Sequence, residues 1–260
     1  MTRLRYEWPE LTTRFHRVVR DSVPSWVSPD SAHYEQTLAF ALGRLEEGRQ
    51  LVDFFRSRGY SGRVLDLGAG NGGVALGLAN DESFEVFTLD IIPNRDVRAL
   101  VTGTDVPMYP VVGSGHTVPF ATNTFDIVLC LDTIEHVPRP DLLGPEIFRV
   151  LKPGGFCMIT TPPRFRYWFR RDPHYGIPGL ILLPDSLQRL TASTILRRTD
   201  TYDVVHIFWH VREITRLFRG RKTIEVLWNR RFSTPASWRD RLWFRYKNFL
   251  WDRIIISKEP

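Results

Sequence analysis

The stretch VLDLGAGNGGVALGLA, Val64 to Ala79, carries the strongest local signal in the sequence. It runs from an apolar segment with a single acid into five glycines within ten residues, and then resumes an apolar pattern. A glycine-rich turn between a strand and a helix lets the backbone pass close to a ligand and points helix N–H groups at it. Because one glycine would suffice for a tight turn alone, this loop predicts a ligand site.

Short apolar strands alternate with helical stretches on both sides of the loop, which is typical of a mostly parallel sheet covered by helices. The strands are predicted at 63–67, 84–89, 108–112, 125–131 and 155–160, and the helices between them at 72–80, 96–101 and 141–151. A lead-in helix is expected over 32–58, after an irregular segment, 1–30, that Trp8, Pro9, Pro24, Trp26 and Pro29 interrupt. Beyond residue 209 the pattern predicts a helix at 211–218 and strands at 223–228 and 253–257.

The composition indicates a soluble, cytoplasmic protein. Of the 260 residues 43% are hydrophobic, enough for a sizeable core, and no run approaches the ~20 apolar residues of a membrane span. The N-terminus lacks the apolar core of a signal peptide. Cys130 and Cys157 both lie in strand-like apolar runs, so we expect reduced core thiols, and no Cys or His spacing predicts a metal site.

Two ligand classes fit the glycine loop taken alone. Gly68, Gly70 and Gly73 satisfy the G-x-G-x-x-G pattern, and Asp90 follows at the end of the next strand, as in a dinucleotide site. Asp66, however, lies inside the strand, where a pyrophosphate would meet an unwelcome negative charge. An ammonium-bearing ligand would suit this acid better.

In its motifs the chain resembles the class I S-adenosylmethionine-dependent methyltransferases, of the type 11 domain. VLDLGAGNGG is similar to the first motif of that family. The family's next motifs are matched in this chain by LDIIP (89–93), VVGSGHTVPFATNTFDIVLCLDTIEHV (111–137) and FRVLKPGGFCMITTP (148–162). The resemblance therefore covers about residues 63–162. It implies a Rossmann-like α/β fold with a seven-stranded, mostly parallel sheet of order 3-2-1-4-5-7-6, the last strand being antiparallel.

The resemblance also implies S-adenosyl-L-methionine as the cofactor. The site expected for it comprises Asp66, Gly68, Ala69, Gly70, Asn71, Gly72, Asp90, Ile91, Ser114, Gly115 and Leu131. Asp90 would take both ribose hydroxyls, since a carboxylate accepts two hydrogen bonds at once. Ser114 departs from the family, which often carries an acid for the adenine amino group at this position; its hydroxyl can accept the same bond.

The reaction implied is methyl transfer, with O-methylation of a small-molecule, glycan or lipid-linked acceptor favoured. Candidate catalytic residues are His136, after the fourth strand, and Asp172 and His174, in a Pro-braced loop. A histidine two residues from an aspartate can act as a base, although a solvated loop fits the same residues. For His136, a packing or cofactor-side role is the favoured alternative.

Four regions follow from this interpretation. They are a lead-in and covering helix (1–60), the cofactor-binding core (61–162), an inserted acceptor lid (163–209), and a C-terminal part (210–260) with a helix, the final strands and a basic tail. The last 51 residues hold 13 Lys and Arg against five Asp and Glu, and aromatic residues alternate with cations over 237–258. This pattern favours either packing on the sheet or peripheral attachment to an anionic inner membrane face, with nucleic acid less favoured.

Two other functions compete with a methyltransferase. A non-catalytic S-adenosylmethionine-binding assembly factor at a membrane fits the basic tail and the lack of an evident base. An NAD(P)-dependent oxidoreductase is favoured by the glycine spacing alone, and the sequence lacks a hydride-transfer pattern such as Tyr-x-x-x-Lys.

Overall fold

Seven strands form one mixed sheet in the order β3-β2-β1-β4-β5-β7-β6, which confirms the predicted topology. The computed structural model describes residues 3–22, 29–30, 34–92, 95–163, 179–191, 194, 208, 210–227 and 253–260. The strands are β1 (Gly62–Leu67), β2 (Phe84–Asp90), β3 (Met108–Val112), β4 (Phe125–Leu131), β5 (Leu151–Thr160), β6 (Lys222–Leu227) and β7 (Arg253–Lys258). The helices are α1 (Trp8–Ser22), α2 (Tyr34–Ser57), α3 (Gly73–Ala79), α4 (Arg95–Thr104), α5 (Pro140–Val150), α6 (Asp185–Leu190) and α7 (Val211–Arg216).

Strands β1 to β5 are parallel, and β7 runs antiparallel between β5 and β6. In register, Leu67 lies beside Leu89, and Leu131 beside Thr160. The carboxyl ends of the five parallel strands therefore meet at one edge of the sheet. In sheets of this kind that edge is where ligands bind.

Apolar side chains from alternate strand positions build a core on each face of the sheet. In β4, Ile127 and Leu129 face the layer of α1 to α4, whereas Val128 and Cys130 face the layer of α5 and α7. Both cysteines are buried and free, as expected.

Residues 8–22 are not irregular as predicted, because they form α1. Trp8 and Pro9 begin the helix instead of interrupting it, since proline is tolerated in a first turn. Leu11, Phe15 and Val19 recur every four residues and are fully buried against the core. The prediction was wrong because the prolines were taken as helix breaks and the four-residue spacing of these apolar residues was overlooked.

Helix α2 lies directly against α3. A Cβ on Gly48 of α2 would come within 2.7 Å of the Val74 carbonyl oxygen and 3.0 Å of the Gly77 Cα. The absence of side chains at this crossing lets the two backbones touch. Because α3 begins directly after the glycine loop, α2 lies next to that loop.

Candidate functional site

The glycine loop connects β1 to α3 at the carboxyl edge of the sheet. Gly68, Gly70 and Gly72 have φ of 75°, 54° and 76°, a left-handed conformation that glycine adopts without steric cost. The Gly68 amide donates to the Leu89 carbonyl at 2.7 Å, which fixes the start of the loop to the end of β2. A Cβ on Gly70 would meet nothing within 4 Å, so this part of the loop faces open space.

Asn71 ties the loop to its neighbours through its side chain. Its amide nitrogen donates to the Ala41 carbonyl of α2 at 2.9 Å, and its side-chain oxygen accepts from the Gly73 amide at 3.1 Å. Ala69, also in the loop, is 6% exposed. The Asn71 side chain therefore orders the loop, and the loop offers its backbone groups to a ligand.

Asp66 lies buried in β1 just before the loop. Burial raises the pKa of its carboxyl to about 7, with further contributions from Glu47 and Asp90, while the Arg44 cation lowers it in part. Among the residues that the structure describes, no donor reaches its Oδ2 atom. An unsatisfied buried carboxyl at the ligand edge is suited to a cationic donor such as an ammonium group.

Asp90 ends β2 beside this loop. Its Oδ1 atom accepts a long, 3.4 Å hydrogen bond from the Ile92 amide, which leaves most of the carboxylate available. Ile91 and Ile92 are 74% and 66% exposed. An acid followed by uncovered apolar side chains is suited to a ribose and a flat ring packed beside it.

Ser114 lies in a turn that follows β3. Its Oγ atom accepts from the His116 amide at 3.1 Å, so the hydroxyl keeps its proton and one lone pair for a ligand. A Cβ on Gly115 would come within 2.8 Å of Leu143. The Gly113 amide donates to the Asp90 carbonyl at 2.9 Å, which holds this turn next to the end of β2.

The side chain of Leu131, also predicted to bind cofactor, lies in the buried core. Its carbonyl accepts from the Thr133 hydroxyl at 3.1 Å. Leu131 can thus shape the site only through its backbone. Strand alternation would have indicated this, since Leu129 and Leu131 must share a face.

Asp132 follows β4 with a positive φ of 53°. Its amide donates to Thr160 at the carbonyl (3.0 Å) and at Oγ1 (2.9 Å), and its carboxylate lies 3.3 Å from Arg44. Arg44 also pairs with Glu47 at 2.6 Å, and Glu47 pairs with Arg253 at the start of β7. A cation of α2 is thereby positioned at the sheet edge, a contribution that the sequence did not indicate.

The turn after Asp132 holds a second buried acid. Glu135 lies in a 3₁₀ turn, Ile134–His136. Its pKa is raised to about 8, mainly by burial and in addition by the negative charge of Asp132. His136, one residue on, is partly exposed at the end of the turn, and its amide donates to the Thr133 carbonyl at 2.9 Å. The catalytic role of His136 stays a prediction.

Asp172 and His174 fall outside the described residues, as do most of the predicted lid and the aromatic part of the basic tail. Within the described part of the chain, no cluster of His, Cys, Asp or Glu could hold a metal ion. Among those same residues, no helix has the length and apolar character needed to cross a bilayer.

The arrangement fits S-adenosylmethionine. The unsatisfied Asp66 oxygen and the open glycine loop are suited to the amino-acid end, Asp90 to the ribose, and the turn at Ser114 to the adenine. Fold and site together resemble the core of a class I methyltransferase.

Comparison with known proteins agrees with this resemblance. Residues 65–159 match the model of the methyltransferase domain family. This match agrees with S-adenosylmethionine as the predicted cofactor.

Two curated relatives and one solved structure are similar to this chain. The 2-methyl-6-phytyl-1,4-hydroquinone methyltransferase of Synechocystis is 33% identical over 110 residues, covering 42% of this chain and 33% of the relative. Squalene methyltransferase 1 of Botryococcus braunii is 29% identical over 153 residues, covering 56% and 40%. The crystal structure of the PH0226 protein from Pyrococcus horikoshii superposes with a TM-score of 0.58 at 20% identity, over 91% of this chain and 96% of that one, which shows the shared fold. The chain spans less than half the length of these two curated relatives.

Proposed function

We propose that the whole chain is a methyltransferase that transfers a methyl group from S-adenosylmethionine to a hydroxyl group of a small-molecule, glycan or lipid-linked acceptor. The observation that carries the proposal is the convergence of Asp66, the glycine loop and Asp90 at adjacent strand ends. When bound, the cofactor supplies an electrophilic sulfonium methyl group.

The residues of the core bind the cofactor and orient it. The loop around Gly70 offers backbone amides to the carboxylate of the cofactor, and Asp66 takes its ammonium group. Asp90 takes the ribose hydroxyls, and Ile91 and the Ser114–Gly115 turn enclose the adenine. A dinucleotide is less well supported, because its pyrophosphate would face buried Asp66.

Support for an apolar acceptor comes from outside the cofactor site. The names of both curated relatives point to acceptors with long hydrocarbon parts, phytyl and squalene. In α6, within the predicted lid, Leu187 and Leu190 are exposed. We propose that residues 163–209 cover the acceptor and that residues 237–258 attach to an anionic membrane surface; His136, Asp172 and His174 are proposed to assist the transfer.

Asp90→Ala is expected to weaken S-adenosylhomocysteine binding about 100-fold, because two hydrogen bonds to a charged group are lost, each contributing roughly 1.5 kcal/mol. Isothermal titration calorimetry gives the dissociation constant. Glu85→Ala is the matched control: it removes an acid from the same strand at the opposite edge, where Glu85 pairs with Arg63, and should leave binding unchanged. Equal binding by the two variants would exclude the ribose role of Asp90.

A further inference from the structure

Two neighbouring polar side chains, Glu135 and Thr161, are buried just after the ends of β4 and β5. Glu135 is 2% exposed and Thr161 is 3% exposed. Within the described structure, the two carboxyl oxygens of Glu135 make no hydrogen bond of standard geometry. The same holds for the Thr161 hydroxyl. The two groups are neighbours, since the Thr161 hydroxyl contributes to lowering the pKa of the Glu135 carboxyl.

The turn that carries Glu135 connects the cofactor loop with the end of β5. At its start, the Thr133 hydroxyl lies 3.5 Å from the Gly68 carbonyl, and a Cβ on Gly68 would come within 2.4 Å of the Thr133 side chain. Asp132, which precedes Thr133, is hydrogen-bonded to Thr160 at the end of β5. Glu135 and Thr161 therefore lie between the place of the cofactor and the point where the chain leaves the sheet.

The electrostatic neighbours of Glu135 differ from those of Asp66. The pKa of Asp66 responds to Arg44, Glu47 and Asp90, all on the α2 and β2 side. The pKa of Glu135 responds to the charge of Asp132. The two buried acids thus differ in the charged residues that act most strongly on them.

An unpaired buried carboxyl costs stability, and such groups concentrate at functional sites. We propose that Glu135 and Thr161 form the subsite for the acceptor hydroxyl, with Thr161 donating a hydrogen bond to its oxygen and Glu135 accepting its proton. This assignment rests on the proposed function and extends it by naming the base.

The step balances without a further reactant. The acceptor oxygen forms a bond to the methyl carbon while the carbon–sulfur bond breaks with its electron pair remaining on sulfur. The hydroxyl proton passes to the Glu135 carboxylate, which becomes neutral as the positive charge of the sulfonium disappears. Solvent then takes the proton when the product leaves.

The surroundings of Glu135 make it a stronger base than an ordinary carboxylate. Burial first, and then Asp132, raises its pKa to about 8, whereas the Thr161 hydroxyl and the backbone amide of Glu135 lower it in part. The Cys130 thiol beside it stays protonated, since its own pKa is raised well above the usual value. Turnover should therefore rise with pH and level off above about 8.

The test compares Glu135→Gln and Thr161→Val with the unaltered full-length chain, using hydroquinone as the acceptor probe. We expect Glu135→Gln to lower S-adenosylhomocysteine formation about 100-fold and to remove the pH dependence near 8. Thr161→Val should raise the KM for hydroquinone about 10-fold. Asp141→Asn, an exposed carboxylate paired with Arg139 at the start of α5, is the control and should retain full activity.

Two measurements keep this proposal separate from the proposed function. All variants should bind S-adenosylhomocysteine as the unaltered chain does; loss of binding by the unaltered chain itself would remove the proposed function instead. Infrared difference spectra between the S-adenosylhomocysteine-saturated chain and Glu135→Gln need no acceptor and should show a protonated carboxyl at pH 7. A Glu135 band that disappears near the ordinary pKa of a glutamate, or a Glu135→Gln variant within threefold of normal turnover, would overturn the assignment.

Discussion

Replacing Glu135 with glutamine is expected to stabilise the protein at alkaline pH while leaving its stability near pH 4.5 almost unchanged. At low pH the carboxyl is protonated in both the folded and the unfolded chain. As pH rises, the unfolded chain ionises from about 4.5, whereas burial keeps the folded group protonated up to about 8. The free energy of unfolding of the unaltered protein therefore falls between these two values and levels off above pH 8.

The size of this effect follows from the same two values. Their difference corresponds to at most about 5 kcal/mol, because local opening lets water reach the charged carboxylate and reduces the penalty. Glutamine keeps the shape of the side chain and does not titrate. Urea unfolding at pH 4.5 and pH 9 should thus show a gain for Glu135→Gln at pH 9 alone.

Asp141→Asn serves as the control for this experiment. Asp141 is exposed, and its pairing with Arg139 lowers the pKa of its carboxyl, so its removal should give no gain at alkaline pH. A Glu135→Gln variant that is less stable than the unaltered protein at both pH values would show that the carboxylate has a stabilising partner. Together with loss of turnover, the expected gain would mark Glu135 as a residue that favours activity over stability.

Gly68→Ala is expected to abolish detectable binding of S-adenosylhomocysteine and to lower the free energy of unfolding by about 3 kcal/mol. Its φ of 75° costs an L-residue roughly 1–2 kcal/mol. In addition, the new Cβ would lie 2.4 Å from both Oγ1 and Cγ2 of Thr133, and such overpacking costs about 1–3 kcal/mol. Either the glycine loop or the turn that carries Thr133 must move.

Gly59→Ala separates these two contributions. Gly59 has a φ of 72°, but a Cβ there would meet nothing within 4 Å. This variant should show the backbone cost alone and bind S-adenosylhomocysteine normally. Urea unfolding and calorimetry measure both quantities; similar results for the two alanine variants would mean that Thr133 does not pack on the loop.

The strands could be predicted because each is marked locally by an apolar run that ends in a turn. Their order in the sheet was implied by the resemblance of four successive motifs to the methyltransferase family. Helix α1 was missed for a local reason too, since Pro9 was taken as a break where it begins a helix. The strand ends also located Asp66 and Asp90 correctly at the edge of the sheet. The positions of Asp66 and Asp90 near the ends of predicted strands were thus enough to locate both residues at the carboxyl edge of the sheet.

Side-chain partners could not be predicted in the same way. The Asn71 side chain bonds to Ala41, a residue thirty positions earlier, and this contact depends on how α2 packs. Glu135 follows β4 in the sequence, but only the packing of the 3₁₀ turn shows that its carboxyl is buried beside Thr161 rather than exposed. Asp172 and His174 stay predictions.

We propose that the glycine loop holds S-adenosylmethionine and not a dinucleotide. Calorimetric titration of the full chain with S-adenosylhomocysteine, and separately with NADH, distinguishes the two ligands. Micromolar binding of S-adenosylhomocysteine with no heat from NADH is the predicted result. Binding of NADH instead, or of neither compound, would contradict the claim.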